Sequence, residues 1–460
     1  MPVRRCAAFL TACSPALFLV TGAAAQSPPP PYVVLGAQGP VARVILTPDA
    51  NNNVASCPRI EVDGAAKDMI VRAEPDGGKF NIRVCEFVLQ GAKRATIAGQ
   101  TLPLPPDSIA SIAVFGDTGC RVKGPKSAGA TAEADEADEA DEANGKAASG
   151  KYQDCQTDWP FQTMSETIAA IKPKPDLVIH VGDYLYRESA CDDHPGCEGP
   201  HGYNWPTWDA DFFKPAAALL QAVPWIVARG NHEICTRAGF GYALMLDPTP
   251  FNPDKPPKCD PHDPPLDQYT VSVGGRSFIV LDSSAAPDNC PTGCDSGWYE
   301  DQFAAMKPAT GTWLVTHRPI WGFTYSKDKK TGERELGIRN MTLQAALAKK
   351  WKNVPPAGIE LVLSGHIHLW EALSFADGRT PQFVLGAGGT ELSHKLPKDK
   401  DLKGQEIGGT TIAAIASDEA FGYTLFEPSR HGGRWGATFY DPAGKENIAC
   451  KVETGQVTCK

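Results

Sequence analysis

Ser111-Ile112-Ala113-Val114-Phe115-Gly116-Asp117-Thr118-Gly119 is the stretch on which the reading of this chain turns. A short apolar run of strand length stops at a glycine, and a carboxylate follows at once. The same grammar recurs four times downstream. Leu177–Val181 runs into Gly182-Asp183-Tyr184-Leu185-Tyr186, and Trp225–Ala228 is followed, after Arg229, by Gly230-Asn231-His232-Glu233. Trp313–Thr316 runs directly into His317-Arg318-Pro319, and Leu361–Ser364 into Gly365-His366-Ile367-His368. One Gly-Asp after a strand is a turn. Five strand ends that each release an oxygen or imidazole donor describe a crevice at the carboxyl edge of a sheet, where α/β proteins bind their ligands. Glycine there permits tight turns and close backbone approach.

Further apolar runs at 278–281 and 383–385, and helix-like stretches at Thr163–Lys172, Ala216–Ala222 and Thr342–Lys350, fill the spaces between. Buried strands alternating with helices give a layered α/β domain. The donors are Asp117, Asp183, Tyr186, Asn231, His317, His366 and His368, with no thiolate among them. Oxygen and imidazole ligands suit Fe, Mn or Zn. Seven are too many for one small transition ion and fit two ions sharing a carboxylate. On a strand His366 and His368 share a face, whereas on a loop they reach adjacent ions.

The remainder of the 460 residues sets the context. Hydrophobic residues at 42% and charged residues at 21% argue for a globular chain. Seven of the acids behind the net charge of −10 lie in Thr131–Asn144, and without them the charge falls to −3. No basic face is implied, so a nucleic-acid-binding surface is not expected. Residues 1–25 have the form of a signal peptide: Arg4 and Arg5, an apolar run to Val20, and Ala23–Ala25 before the cut. Leu10–Cys13 has a lipobox-like look, with lipidation at Cys13 the lesser alternative to a secreted or periplasmic protein. No later stretch has the about 18 consecutive apolar residues of a membrane span. The expected organisation is a Pro-rich leader at 26–31, a small β-rich domain at 32–106 and the α/β domain at 107–460. A disordered acidic insertion falls at 127–150. Of fourteen cysteines, two lie in the signal peptide, and export favours disulfides among the other twelve. Cys191–Cys197, Cys290–Cys294 and Cys450–Cys459 are expected from short spacing, with Cys57–Cys85, Cys120–Cys155 and Cys235–Cys259 completing the set.

The series GDTG, GDYLY, GNHE, LVTH and GHIH resembles the calcineurin-like metallophosphoesterase superfamily. More narrowly, it is similar to the purple acid phosphatase pattern GDxG, GDxxY, GNH(D/E), VxxH, GHxH, with Leu314 in place of the VxxH valine. The resemblance covers Asp117 to His368. It implies a four-layer αββα sandwich preceded by a β-rich module. It implies that one metal is held by Asp117, Tyr186 and His368 and the other by Asn231, His317 and His366, with Asp183 bridging. Most members of the superfamily begin D-x-H. Here that histidine position is Gly119, and Tyr186 stands where a phenolate ligand would favour Fe(III), paired with a divalent Fe, Zn or Mn.

The activity so implied is hydrolysis of a small-molecule phosphate monoester by a metal-bridging hydroxide, with His232 as the catalytic histidine. Glu233 either orients His232 or forms a structural salt bridge. Arg187 either clamps the phosphate or pairs structurally with Glu188. The Cys191–Trp208 segment either overhangs the site or forms an aromatic mini-core. His180 reads as a core histidine. A phosphodiesterase of the nucleotide or sphingomyelin-like type, and an inactive secreted metal-binding protein, are the alternative functions. The sequence carries no signal for oligomeric state.

Overall fold

The computed structural model describes residues 28–125, 150–262, 264–290, 293–327, 333–407, 409–429 and 434–460. The expected signal peptide, and all but residue 150 of the acidic insertion, lie outside the described residues.

Among the described residues two large sheets, of eleven and eight strands, make up the body. At the centre of the first, Ile112–Phe115, Leu177–His180 and Trp225–Val227 run parallel. The antiparallel tail strands Tyr423–Pro428, Trp435–Tyr440, Glu446–Glu453 and Gln456–Cys459 extend one edge. In the second, Arg276–Leu281, Thr312–Thr316, Ile359–Ser364 and Gln382–Leu385 form the parallel run. Each expected core strand is present.

Alternation of side chains along these strands builds three apolar layers. Ile112, Val114 and Ile179 of the first sheet face Val280, Trp313, Val315, Leu361 and Leu363 of the second, forming the interior between the sheets. The intervening residues Ala113, Phe115, Val178 and Trp225 point outward and are covered by Phe161, Met164, Leu219 and Leu220. Those four belong to the helices Phe161–Ala170 and Lys214–Ala222. On the far side, Leu314, Val362 and Val384 are covered by Phe303, Leu343 and Leu347, carried by the helices Gly297–Ala305 and Met341–Trp351. Helix, sheet, sheet, helix is the four-layer αββα order.

Residues 32–106 are β-rich, as expected, and part of the segment is built into the main sheet. Tyr32–Gly36 runs parallel to Trp225–Val227 through Val34 and Trp225, and Gly39–Leu46, Arg83–Val88 and Ile70–Ala73 follow it outward. A buried ion-pair group ties the edge down: Glu86 accepts from Arg72 at 2.9 Å and lies 3.2 Å from Arg43. All six expected disulfides form.

Candidate metal centre

Parallel strands put all their carboxyl ends on one edge, so the loops after residues 115, 180, 227, 316 and 364 emerge together. One backbone bond ties the two sheets at that edge, Gly116 N donating to Leu385 O at 3.0 Å, and a second joins two neighbouring loops of the second sheet, Gly365 N donating to His317 O at 2.8 Å. Asp117, Asp183 and His366 turn sharply there, with left-handed φ values of 57°, 60° and 71°. Strain of this kind at non-glycine residues concentrates at functional sites.

The side chains converge. The Tyr186 hydroxyl lies 2.8 Å from Asp183 Oδ2, 3.1 Å from Asp117 Oδ1 and 3.1 Å from His368 Nε2. On the other side of Asp183, His317 Nε2 lies 3.2 Å from its Oδ2 and 2.9 Å from Asn231 Oδ1. Donor atoms of Asp183, His317 and His366 fall within 4.8 Å of one another. The seven expected donors therefore gather as two groups that meet at Asp183.

Several features hold them there. His317 Nδ1 lies 2.9 Å from Val181 O, and His368 Nδ1 2.9 Å from Glu391 O. A carbonyl only accepts, so each Nδ1 carries the proton and each Nε2 lone pair faces the cluster. His366 and His368 lie on a loop rather than a strand, and their rings turn to different partners: His368 to Tyr186, His366 to Asp288. Gly230 approaches so closely that a Cβ there would stand 2.0 Å from Asp183 Oδ1.

Gly119 explains the absent histidine of the D-x-H pattern. A Cβ at this position would meet Tyr186 N at 2.7 Å, Tyr184 O at 2.8 Å and Asp211 Oδ2 at 2.7 Å. The GDYLY loop occupies the space a side chain would need and delivers the Tyr186 phenol in its place.

The donor chemistry fits cations. Burial and the charge of Asp183 push Asp117 well above the usual carboxylate range, and burial with both carboxylates pushes the Tyr186 phenol up. Burial works against ionised Asp183 too, but His317 and His232 hold it well below its ordinary value. Burial brings His366 down to about 4, leaving it a neutral imidazole, the form that ligates. Two buried carboxylates and a phenol sharing contacts are what positive charge would stabilise.

His232 lies beside this cluster. Its backbone N–H donates to Asp183 Oδ1 at 2.8 Å, and its ring packs 3.9 Å from that of Tyr186. Nδ1 is 2.8 Å from Glu188 Oε1, and Arg237 contacts both the ring and Glu188. Burial and Arg237 lower the His232 pKa, against the pull of Asp183 and Glu188.

Arg187 and Glu233 each entered with two readings. Arg187 does not reach the cluster. Its Nε donates to buried Asp211 at 2.9 Å, because that carboxylate, out of water, needs a counter-charge. Its ion-pair partner is Asp211 rather than the Glu188 of the structural reading. Glu233 is structural as well. Its carboxylate accepts backbone N–H groups from Asp183, Tyr184 and Gly230, pinning one donor loop to the next. Burial and Asp183 raise its pKa to about 8. His180 is a core histidine, 3.0 Å from Thr118 Oγ1. Trp205 and Trp208 join Phe212 and Phe213 in the core, the aromatic mini-core reading.

Sequence reasoning missed Asp211, Asp288, Glu188 and Arg237. Glu188 was findable, two residues past Tyr186. The others sit in segments without a motif.

Comparison with known proteins matches this geometry. Residues 110–369, more than half the chain, match the Calcineurin-like phosphoesterase family. The chain belongs to that family. Among relatives of this calcineurin-like chain, Purple acid phosphatase 5 of Arabidopsis thaliana is 26% identical over 204 residues, 43% of this chain and 38% of that protein. Purple acid phosphatase 22 of the same plant is 24% identical over 261 residues, 53% of this chain and 51% of its own length. The chain thus aligns with about half or less of these relatives. In structure it is similar to the purple acid phosphatase PPD1 from yellow lupin (Lupinus luteus) seeds, with a TM-score of 0.52 and 15% identity. That likeness covers 91% of this chain and 72% of the lupin chain. PhoD is similar at a TM-score of 0.51 and 12% identity, over 95% of this chain and 93% of that one. At these identities the structural likeness speaks for the calcineurin-like fold alone.

Proposed function

We propose that this chain is an exported, dinuclear-metal hydrolase of phosphate monoesters, acid phosphatase-like in its site. Asp117, Tyr186 and His368 would hold one ion and Asn231, His317 and His366 the other, with Asp183 shared between the two groups. The observation that carries the reading is the Tyr186 hydroxyl between Asp117, Asp183 and His368, with Gly119 closed to any side chain. A phenolate there favours Fe(III), with Fe, Zn or Mn as the divalent partner. Residues 107–460 carry the catalytic domain. Six disulfides support an oxidising compartment, reached through the signal peptide at 1–25, and no helix of the described residues is long and apolar enough to cross a membrane.

Bound in this cluster, two cations supply Lewis-acid charge to a phosphate ester and lower the pKa of a water. The chain's own work is to place and protonate. Asp183 is fixed from both sides, by the His232 backbone N–H and by His317. His232 protonates the leaving oxygen, and Glu188 at Nδ1 offsets the charge that a doubly protonated ring carries. Asp211, accepting the backbone N–H groups of Cys120 and Tyr186, keeps the first two donor loops in register.

Turnover of p-nitrophenyl phosphate against bis-p-nitrophenyl phosphate by the metal-loaded protein tests the reading. The monoester is expected to be cleaved faster. Preference for the diester would assign the phosphodiesterase alternative, and no turnover of either would leave a metal-binding protein.

A further inference from the structure

Three histidines face the cluster, and one of them is held differently. His317 and His368 each spend Nδ1 on a backbone carbonyl and present Nε2. His366 is reversed: its Nε2 lies 2.7 Å from Asp288 Oδ2. Among the described residues its Nδ1 makes no hydrogen bond.

Asp288 is fully buried, seven residues beyond the Arg276–Leu281 strand and outside every motif. Its placement is over-determined. Asn340, the N-cap of the Met341–Trp351 helix, donates from Nδ2 to Asp288 Oδ1 at 2.7 Å and to Ala286 O at 2.8 Å. Met341 N donates to Asp288 O at 3.0 Å, and Thr342 Oγ1 to Pro287 O at 2.7 Å. The Cys290–Cys294 disulfide closes the chain just beyond. Arg318 Nη1, 3.0 Å from Asp288 Oδ2, gives the carboxylate a counter-charge. His366 Nε2 has two neighbours, Asp288 Oδ2 at 2.7 Å and Arg318 Nη1 at 3.3 Å; the carboxylate, already accepting from Asn340 and Arg318, is the shorter contact and takes the Nε2 proton.

We propose that Asp288 is a positioning residue for the metal pair: by taking the Nε2 proton it fixes the His366 tautomer that leaves Nδ1 as the donor to one ion. Carboxylate–histidine–metal relays of this kind orient the ring and raise its basicity, and their loss costs about 10–100-fold in metal affinity. Here the carboxylate comes from a turn that shares no motif with the other donors. Arg318 is then the counter-ion of Asp288. The inference rests on the two-ion reading above and extends it to the group that tunes one of those ions.

The experiment is chelator competition with Zn(II) on the full chain, comparing wild type with Asp288→Ala and Asp288→Asn. Asp288→Ala is expected to bind one ion about 10–100-fold more weakly and the other unchanged. Asp288→Asn keeps an accepting carbonyl and is expected to fall between. In the metal-free wild type, 15N shifts of the His366 ring should report a protonated Nε2 and a bare Nδ1, and Asp288→Ala should mix the two tautomers. Two ions held equally well by wild type and Asp288→Ala would overturn this inference alone, as would a protonated Nδ1 in the wild type. Equal weakening of both ions would reduce Asp288 to general support. A wild type that binds no ion would overturn the metal-centre reading itself. If Asp288→Ala does not fold, Asp288→Asn and the wild-type ring shifts decide.

Discussion

Glu188 Oε1 lies 2.8 Å from His232 Nδ1 beside the donor cluster, the imidazole buried and the carboxylate only 11% exposed. Burial works against the Glu188 charge, yet Arg237 and His232 hold its carboxyl well below the usual range. An ionised partner at Nδ1 fixes the ring and stabilises the cation formed before proton transfer.

His232→Ala should therefore retain both metals and lose about 10²–10⁴ in kcat, the usual range for a general acid. Glu188→Gln should lose less, about 10-fold, at unchanged metal content. Full turnover in either variant, with metals confirmed by elemental analysis, would remove that residue from the mechanism.

Tyr186 offers an optical test. Iron-loaded protein should show a visible phenolate-to-Fe(III) band, and Tyr186→Phe should lose it. A colourless, iron-free and fully active wild type would assign Mn or Zn to that site instead.

Gly119→Ala probes why a phenol stands where an imidazole is usual. The added methyl would press on Tyr186 N and Tyr184 O, both backbone atoms that cannot rotate away. Overpacking of this kind costs about 1–3 kcal/mol, so thermal stability should fall and the ion nearest Tyr186 should bind more weakly. A variant as stable and as metal-replete as wild type would show that the GDYLY loop yields without cost.

The five strand ends and their donors were legible because each signal is local: an apolar run and a ligand, in four of the five cases introduced by a glycine. Spacing sufficed for three of the six disulfides too, since pairs such as Cys290 and Cys294 have few neighbours to choose from. What escaped was long-range. Asp211 and Asp288 matter through partners up to 91 and 78 residues away, and nothing beside them in sequence announces it. Arg187 was open to misreading because a cation next to a ligand suggests phosphate, whereas its buried neighbour Asp211 takes it first. The union of Tyr32–Gly36 with the main sheet was equally hidden, since an apolar strand reads the same whether it joins a large sheet or a small separate one.

Glu371 gives a pH dependence away from the cluster. Burial raises its pKa from 4.5 to about 8, even though it accepts the Phe323 N–H. A carboxyl raised on folding favours the native state below its unfolded value, and that contribution is lost as pH climbs toward 8. Glu371→Gln should thus raise Tm at pH 8 relative to wild type, with little difference near pH 4. Parallel melting curves at both pH values would contradict the buried-acid reading.

Crystals of the metal-loaded chain, with anomalous data collected at the Fe and Zn edges, address the centre most directly. The expected result is two peaks about 3.5–4 Å apart astride the Asp183 carboxylate, one beside Tyr186 and one beside His317. A single ion, or ions bound elsewhere with Asp183 uncoordinated, would contradict it.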